Sequence, residues 1–312
     1  MIISSVVMSV PPGVDPPESG RRSRRESGGV TVRLAKIAAR IPRGTSDLWQ
    51  NVSMSESIVF APLDDGVATV TINEPQTRNA LSLSVMNDLI DTFAEVADRT
   101  DVRAVILRTA GHVFSSGHDL TEIRGADFET QQKTFEACSE LMLLIQRIPQ
   151  PVIAEVQGVA TAAGCQLVAT CDLAVAGESA RFATPGVKIG LFCSTPMVAL
   201  SRAVPAKQAM RMLLTGDFVS ADQALGYGLV SDVVADDELE SATLELARKV
   251  AGASSATVAI GKAAFYEQRE LPVDQAYERM SQVMAHNAVA ADAQEGIEAF
   301  LSKRDPQWQH RG

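Results

Sequence analysis

From Ser57 onward, apolar and polar residues follow regular periods. Gly66–Asn73 alternates and predicts a β-strand. Leu83, Met86, Leu89, Ile90, Phe93, Val96 and Ala97 recur at helical spacing, predicting a helix over 83–99. A β-branched run at 103–108 reads as a strand, 128–147 as a helix, and 151–156 and 172–176 as two more strands. Strands alternating with helices imply βαβ units and a parallel sheet. From about Thr195 the strand signals fade. Helices are expected at 195–203, 206–214, 220–226, 237–252, 254–269, 273–290 and 292–302. Ser220-Ala-Asp-Gln223 and Asp292-Ala-Gln-Glu295 have the form of capping boxes. The expectation is an α/β body followed by an α-helical tail, with no internal repeat.

Residues 1–53 break this pattern. Four prolines (Pro11, Pro12, Pro16, Pro17) precede four arginines (Arg21, Arg22, Arg24, Arg25), and no acid stands between Glu26 and Asp47. An Arg-rich, acid-poor stretch resembles an organelle transit peptide, which would send the protein to the mitochondrial matrix. The competing reading is an upstream extension of a cytoplasmic protein, because Met54 followed by Ser-Glu-Ser is a plausible start. Either way, disorder is expected there, since little apolar surface can be buried.

Charge sharpens the division. The net charge of −10 separates into +4 over residues 1–53 and −14 over residues 54–312. An acidic body argues against a nucleic-acid partner. At 312 residues and 46% hydrophobic, the chain can bury a sizeable core. The four cysteines (138, 165, 171, 193) form no CxxC pair, and the four histidines have no metal-ligand spacing. No apolar run reaches the roughly 18 residues of a membrane span. Neither a metal site nor a membrane partner is expected.

Two segments carry candidate chemistry. In Phe114-Ser-Ser-Gly-His-Asp-Leu120, a glycine follows a strand and precedes a helix. Gly117 permits a turn with positive φ, and N–H groups at such a turn can meet developing negative charge. In Gly158-Val-Ala-Thr-Ala-Ala-Gly-Cys-Gln-Leu-Val-Ala-Thr-Cys-Asp172, small residues lead from a strand into a short helix expected at about 163–170. Its first N–H groups form an anion site. Each segment alone is equally readable as a packing device.

In this order the two segments resemble the crotonase superfamily, the enoyl-CoA hydratase/isomerase family, over about residues 57–305. Arg78-Asn-Ala-Leu81 is similar to that family's early loop. Phe182-Ala-Thr-Pro185 and the Ser220–Val230 run are similar to later signatures. The subgroup it most resembles is the enoyl-CoA hydratase domain-containing proteins. The resemblance implies a crotonase-like α/β fold: a ββα-repeat spiral core over 54–250 and an α-helical C-terminal trimerisation region over 251–312. It implies an acyl-CoA thioester substrate and an enolate held by two backbone N–H groups, those of His118 and Ala163. It implies CoA contacts near Arg78, Ala80, Ser116, Gly117, Asp119 and Leu120, with Lys262 near the CoA phosphates. CoA would enter as part of the substrate, with no separate cofactor, and the assembly would be a homotrimer or a dimer of trimers.

The sequence departs from that pattern at the acid–base positions. The family's two glutamates align with Gln166 and Gly186. An amide can hold a water but cannot exchange protons usefully near neutral pH. Glycine has no side chain at all. Cys193, just past the second position, is a candidate nucleophile if its pKa were lowered. Asp119 and Glu122 read as structural or rim acids, and Glu155 as a solvated strand end. Three functions remain open: a hydratase- or isomerase-type enzyme with a non-standard base, a malonyl-type-CoA decarboxylase or thioesterase, and a non-catalytic acyl-CoA-binding protein.

Overall fold

The computed structural model describes residues 57–310; the 1–53 leader lies outside the described residues. Ile58–Pro62 (β1) and Val67–Ile72 (β2) pair antiparallel and lead into helix Leu83–Ala97 (α1). Ser82 caps α1 by accepting the Val85 N–H. The next turn holds Ala104–Thr109 (β3), Val113–Ser115 (β4), the short helix Leu120–Ile123 (α2) and Phe128–Arg147 (α3). Val152–Val156 (β5), Val159–Thr161 (β6) and Ala163–Thr170 (α4) make a third turn. Leu173–Gly177 (β7), Arg181–Ala183 (β8) and Ser194–Ala203 (α5) make a fourth. These are the ββα repeats expected from the resemblance.

The strands sort into two sheets. A six-stranded sheet runs β1-β2-β3-β5-β7-β10, where β10 is Asp232–Val234. A four-stranded sheet runs β4-β6-β8-β9, where β9 is Val219–Ser220. From β3 to β8, successive strands alternate between the sheets, so the chain winds as a spiral. The larger sheet is parallel from β2 to β10.

Side-chain alternation divides the core. Along β3, Val105 and Leu107 join the main core with Met86, Leu89, Phe93, Leu141 and Ile145. Ala104 and Ile106 face the other way and pack with Leu239, Ala247 and Ala251 of helix Leu239–Ala251 (a tail helix on the sheet's outer face). Burial on both faces is what makes these strands read as continuous apolar runs.

The rest of the chain is helical, as expected: Ala206–Thr215 (α6), Ala221–Tyr227 (α7), the Leu239–Ala251 helix (α8), Ser255–Gln268 (α9), Val273–Ala288 (α10) and Ala291–Leu301 (α11). The Ser220/Gln223 capping box is present. The one expected at Asp292/Glu295 is not. α11 begins a residue earlier, and buried Asp292 instead accepts bonds from the Ser254 hydroxyl and from the N–H groups of Gln309 and His310. This carboxylate ties the end of the chain to the start of α9.

Candidate functional site

Three segments meet at the start of α4. The first is the loop before α1, where Arg78 (φ 59°) and Asn79 (φ 51°) are both left-handed. Asn79 tolerates this because its amide is fully used. Nδ2 donates to Ala110 O at 2.8 Å and Val113 O at 2.7 Å, while Oδ1 accepts the Glu74 N–H at 3.0 Å. The loop zips onto the second segment, 115–118. Ser116 N–H donates to Arg78 O at 3.1 Å, Leu81 N–H to Gly117 O at 2.8 Å, and Ser115 Oγ to Asn79 O at 2.8 Å. Arg78 itself is exposed and Ala80 buried.

The third segment is the turn from β6 into α4. Thr161 Oγ1 donates to Ser116 O at 3.1 Å, joining it to the second. Gly117 has φ +92°, and a Cβ there would stand 2.8 Å from Ala162 Cβ and 3.2 Å from Ala163 N. A Cβ on Gly164 would stand 2.5 Å from Ser115 O. The two segments touch only because both positions lack side chains.

Among the N–H groups with no backbone acceptor at this junction are those of His118 and Ala163. His118 pairs with Leu81 across a parallel bridge whose bond uses the Leu81 N–H and the Gly117 carbonyl, not the His118 N–H. Ala163 is the first residue of α4, and a first-turn N–H has no intrahelical acceptor. The helix dipole adds partial positive charge there. Ala162 pins the turn by donating its N–H to Ala183 O at 2.9 Å, but at φ 51° and ψ −117° it sits in a region suited to glycine.

The family model for enoyl-CoA hydratase/isomerase matches residues 63–311. The chain belongs to the enoyl-CoA hydratase/isomerase family. It is 49% identical over 249 residues to the rat (Rattus norvegicus) mitochondrial enoyl-CoA hydratase domain-containing protein 3, covering 79% of this chain and 82% of that one. It is 32% identical to the Escherichia coli 2,3-dehydroadipyl-CoA hydratase, over 83% of this chain and all of that protein. The crystal structure of a Mycobacterium smegmatis enoyl-CoA hydratase superimposes with a TM-score of 0.80 at 48% identity, over 81% of this chain and 99% of that one. The human enoyl-CoA hydratase domain-containing protein 3 superimposes with a TM-score of 0.79 at 47% identity, over 81% of this chain and all of that one. The crotonase fold expected from the sequence is therefore the fold of this chain.

Gln166 and Gly186, where the resemblance implied acids, differ in kind. Gln166 is buried in the first turns of α4, and its Oε1 accepts a long bond from the Cys138 thiol of α3 at 3.6 Å. At Gly186 the place of a side chain is already filled. A Cβ there would lie 2.0 Å from Leu191 O and 2.8 Å from Cys193 Sγ. A glutamate cannot simply be returned to this position. A cleft of about 870 Å³ begins at Gln166 and runs between α3, α4, α5 and α9. Met142, Leu143 and Val198 line its walls, and Asp172 and Tyr266 its far end.

The roles expected for Lys262, Cys193 and Glu155 need correction; Asp119 and Glu122 are structural, one of their expected readings. Lys262 is not available to a phosphate. It is buried, and its ammonium donates to Asp172 Oδ2 at 2.7 Å, Ile145 O at 2.8 Å and Gln150 O at 2.8 Å, using all three of its donors. Tyr266 completes the cluster with a 2.9 Å bond to Asp172 Oδ1. Cys193 is not an activated nucleophile: burial pushes its thiol up, against a smaller opposing effect of the Gly186 N–H. The Asp119 carboxylate caps α2 through the Thr121 N–H and hydroxyl. Glu122 accepts the Leu83 N–H at 2.9 Å. Leu120 is exposed. Glu155 is buried rather than solvated and bonds Arg108 at 3.1 Å. Among the described residues, no cluster of three or more His, Cys, Asp or Glu could hold a metal ion.

The His118 side chain is a feature whose environment the sequence did not disclose. Its ring meets Phe135 of α3 edge-on, with centroids 5.2 Å apart. Nε2 is buried and has no hydrogen-bond partner. Burial pushes the imidazole pKa down to about 4, so the ring is neutral at pH 7.

Two outcomes follow. Ala162→Gly relieves the strained turn and should stabilise the fold by about 1 kcal/mol, raising Tm by about 2–4 °C in a thermal melt. Lys262→Met takes the countercharge from the half-buried Asp172 carboxylate, which keeps only its bonds from Tyr266 and the Val152 N–H, and should destabilise by about 2–3 kcal/mol in urea titration.

Proposed function

We propose that this protein is an acyl-CoA enzyme that stabilises a thioester enolate between the N–H groups of His118 and Ala163. The observation that carries this reading is the contact of Gly117 with the start of α4, which brings the two segments bearing these N–H groups together. Preorganised donors aimed at a developing oxyanion commonly supply the largest catalytic term, and losing one costs about 3–4 kcal/mol. Within the family's range, hydratase-like lyase or isomerase chemistry fits best, carried out without the usual glutamate pair. Relatives named as hydratases support it. The exposed Arg78 beside the second segment suits an anionic CoA, and the cleft beside Gln166 has the size and apolar walls to take an acyl chain.

A second reading rests on Gly186. With its side-chain place filled by the Leu191 carbonyl and the Cys193 thiol, a reaction that starts without a base is favoured. Decarboxylation of a malonyl-type CoA is such a reaction, since loss of carbon dioxide itself delivers the electron pair to the enolate.

The chain is proposed to assemble as a homotrimer, alone or paired. α10 and α11 leave Val273, Tyr277, Met284, Phe300 and Leu301 largely exposed, apolar surface that packing against a neighbouring copy would cover. The mitochondrial names of the vertebrate relatives favour the matrix over the cytoplasm.

The test is turnover of crotonyl-CoA, a 3-enoyl-CoA and methylmalonyl-CoA by the wild type and by Gly117→Ala. That substitution forces a Cβ against Ala162 and should lower whichever activity is present by about 100-fold or more. Activity untouched by it would place the chemistry elsewhere. Gln166→Glu should raise crotonyl-CoA hydration by about tenfold or more over wild type, because a carboxylate can move a proton where an amide cannot. Gly186→Glu should raise nothing and lower Tm, because its Cβ collides with backbone.

A further inference from the structure

We propose that the imidazole of His118 is the proton-carrying group of the site, taking the place of the absent glutamate pair. This rests on the acyl-CoA reading above and adds to it a side chain and a role.

Three observations place the ring. First, it branches from the same residue whose N–H would hold the enolate oxygen, so covalent geometry keeps it close to the α-carbon. Second, it lies along the same face of α3 as the empty acid position. The His118 ring packs on Phe135, and the Gln166 amide bonds Cys138, one helical turn further along. Third, its Nε2 is buried without a partner. Buried polar atoms are nearly always hydrogen-bonded, so an orphan of this kind calls for a function or an absent ligand. The other ionisable groups nearby are unsuited. Burial pushes the Cys138 thiol up to about 12, and Asp119 and Glu122 are engaged by the starts of α2 and α1.

The ring's neutrality at pH 7 fits the role. With its proton on Nδ1, the ring presents a lone pair at Nε2. That pair takes a proton from the α-carbon of the thioester. The C–H electrons become the enolate double bond, and the carbonyl electrons move to the oxygen between the His118 and Ala163 N–H groups. The imidazolium then returns the proton. Return to the α-carbon exchanges hydrogen with solvent. Return to the γ-carbon of a 3-enoyl thioester shifts the double bond to the 2-position. A single base serves both steps, and no water or second acid is consumed.

The experiment follows deuterium uptake from D2O into but-3-enoyl-CoA by mass spectrometry, alongside the Kd of butyryl-CoA. Wild type should incorporate deuterium. His118→Gln should lose about 100-fold or more in exchange rate while Kd stays within about threefold, since the backbone donors remain. Exchange at the wild-type rate in His118→Gln overturns the proposal, as does wild type that binds butyryl-CoA but exchanges nothing. Wild type that binds no acyl-CoA at all overturns the enzyme reading itself. If His118→Gln does not fold, His118→Ala supplemented with imidazoles of graded basicity separates the roles. A rescued rate that rises with basicity supports proton transfer, and a rescue indifferent to basicity indicates filling of a void and overturns it.

Discussion

The site depends on one steric condition: Gly117 and the start of α4 must touch. They belong to different turns of the spiral, and the parallel pairing of β4 with β6 brings them side by side. The contact closes because position 117 has no Cβ to meet Ala162, and position 164 none to meet Ser115. Everything local follows from it. The 78–81 loop is held by bonds to 115–117, Asn79 is locked in a left-handed conformation to support that loop, and the backbone of His118 is set beside the first turn of α4. Ala162 shows how strictly the turn is specified. It keeps a conformation disfavoured for a residue with a side chain, because β8 holds its N–H and Gly117 leaves room for its methyl.

Much of this was legible in the sequence, and the boundary of legibility is physical. Long elements announced themselves: the helix expected over 128–147 coincides with α3, and the short one expected after the small-residue run, at 163–170, with α4. β4, β6, β8, β9 and β10 did not, because two or three residues carry no measurable period. The first four nonetheless build the second sheet, and β4 and β6 lead into the site. The contrast between Gln166 and Gly186 was readable only as missing acids. That one position is open to a side chain and the other closed by the Leu191 carbonyl is a fact of tertiary packing.

Lys262 marks the same boundary from the other side. A lysine on an amphipathic helix reads as solvated, and relatives suggested phosphate. Its acceptors lie more than 80 residues earlier, at Ile145, Gln150 and Asp172, and no local pattern joins them. Burying an ammonium requires this full set of partners, and it gives the cluster a structural purpose: it ties α9 to the end of α3 and to the residue that precedes β7. The helical tail is thus anchored from inside by Lys262, and again at its end by Asp292.

The electrostatics of the site argue for the kind of chemistry rather than its detail. Gln166, Gly186, the Cys193 thiol and the neutral His118 ring themselves carry no negative charge. A carboxylate at either acid position would repel an enolate oxygen forming nearby, and in a partly buried site that repulsion is weakly screened. Its removal makes the junction more tolerant of negative charge, whether that charge develops on the thioester oxygen or arrives on a carboxylated acyl group. It also removes the means of moving protons, so the two effects cannot be separated by substitution at Gln166 alone. The neutral base proposed above would resolve the conflict. It carries no charge while the enolate is absent and becomes positive as the oxyanion forms, so proton transfer and oxyanion stabilisation then reinforce each other.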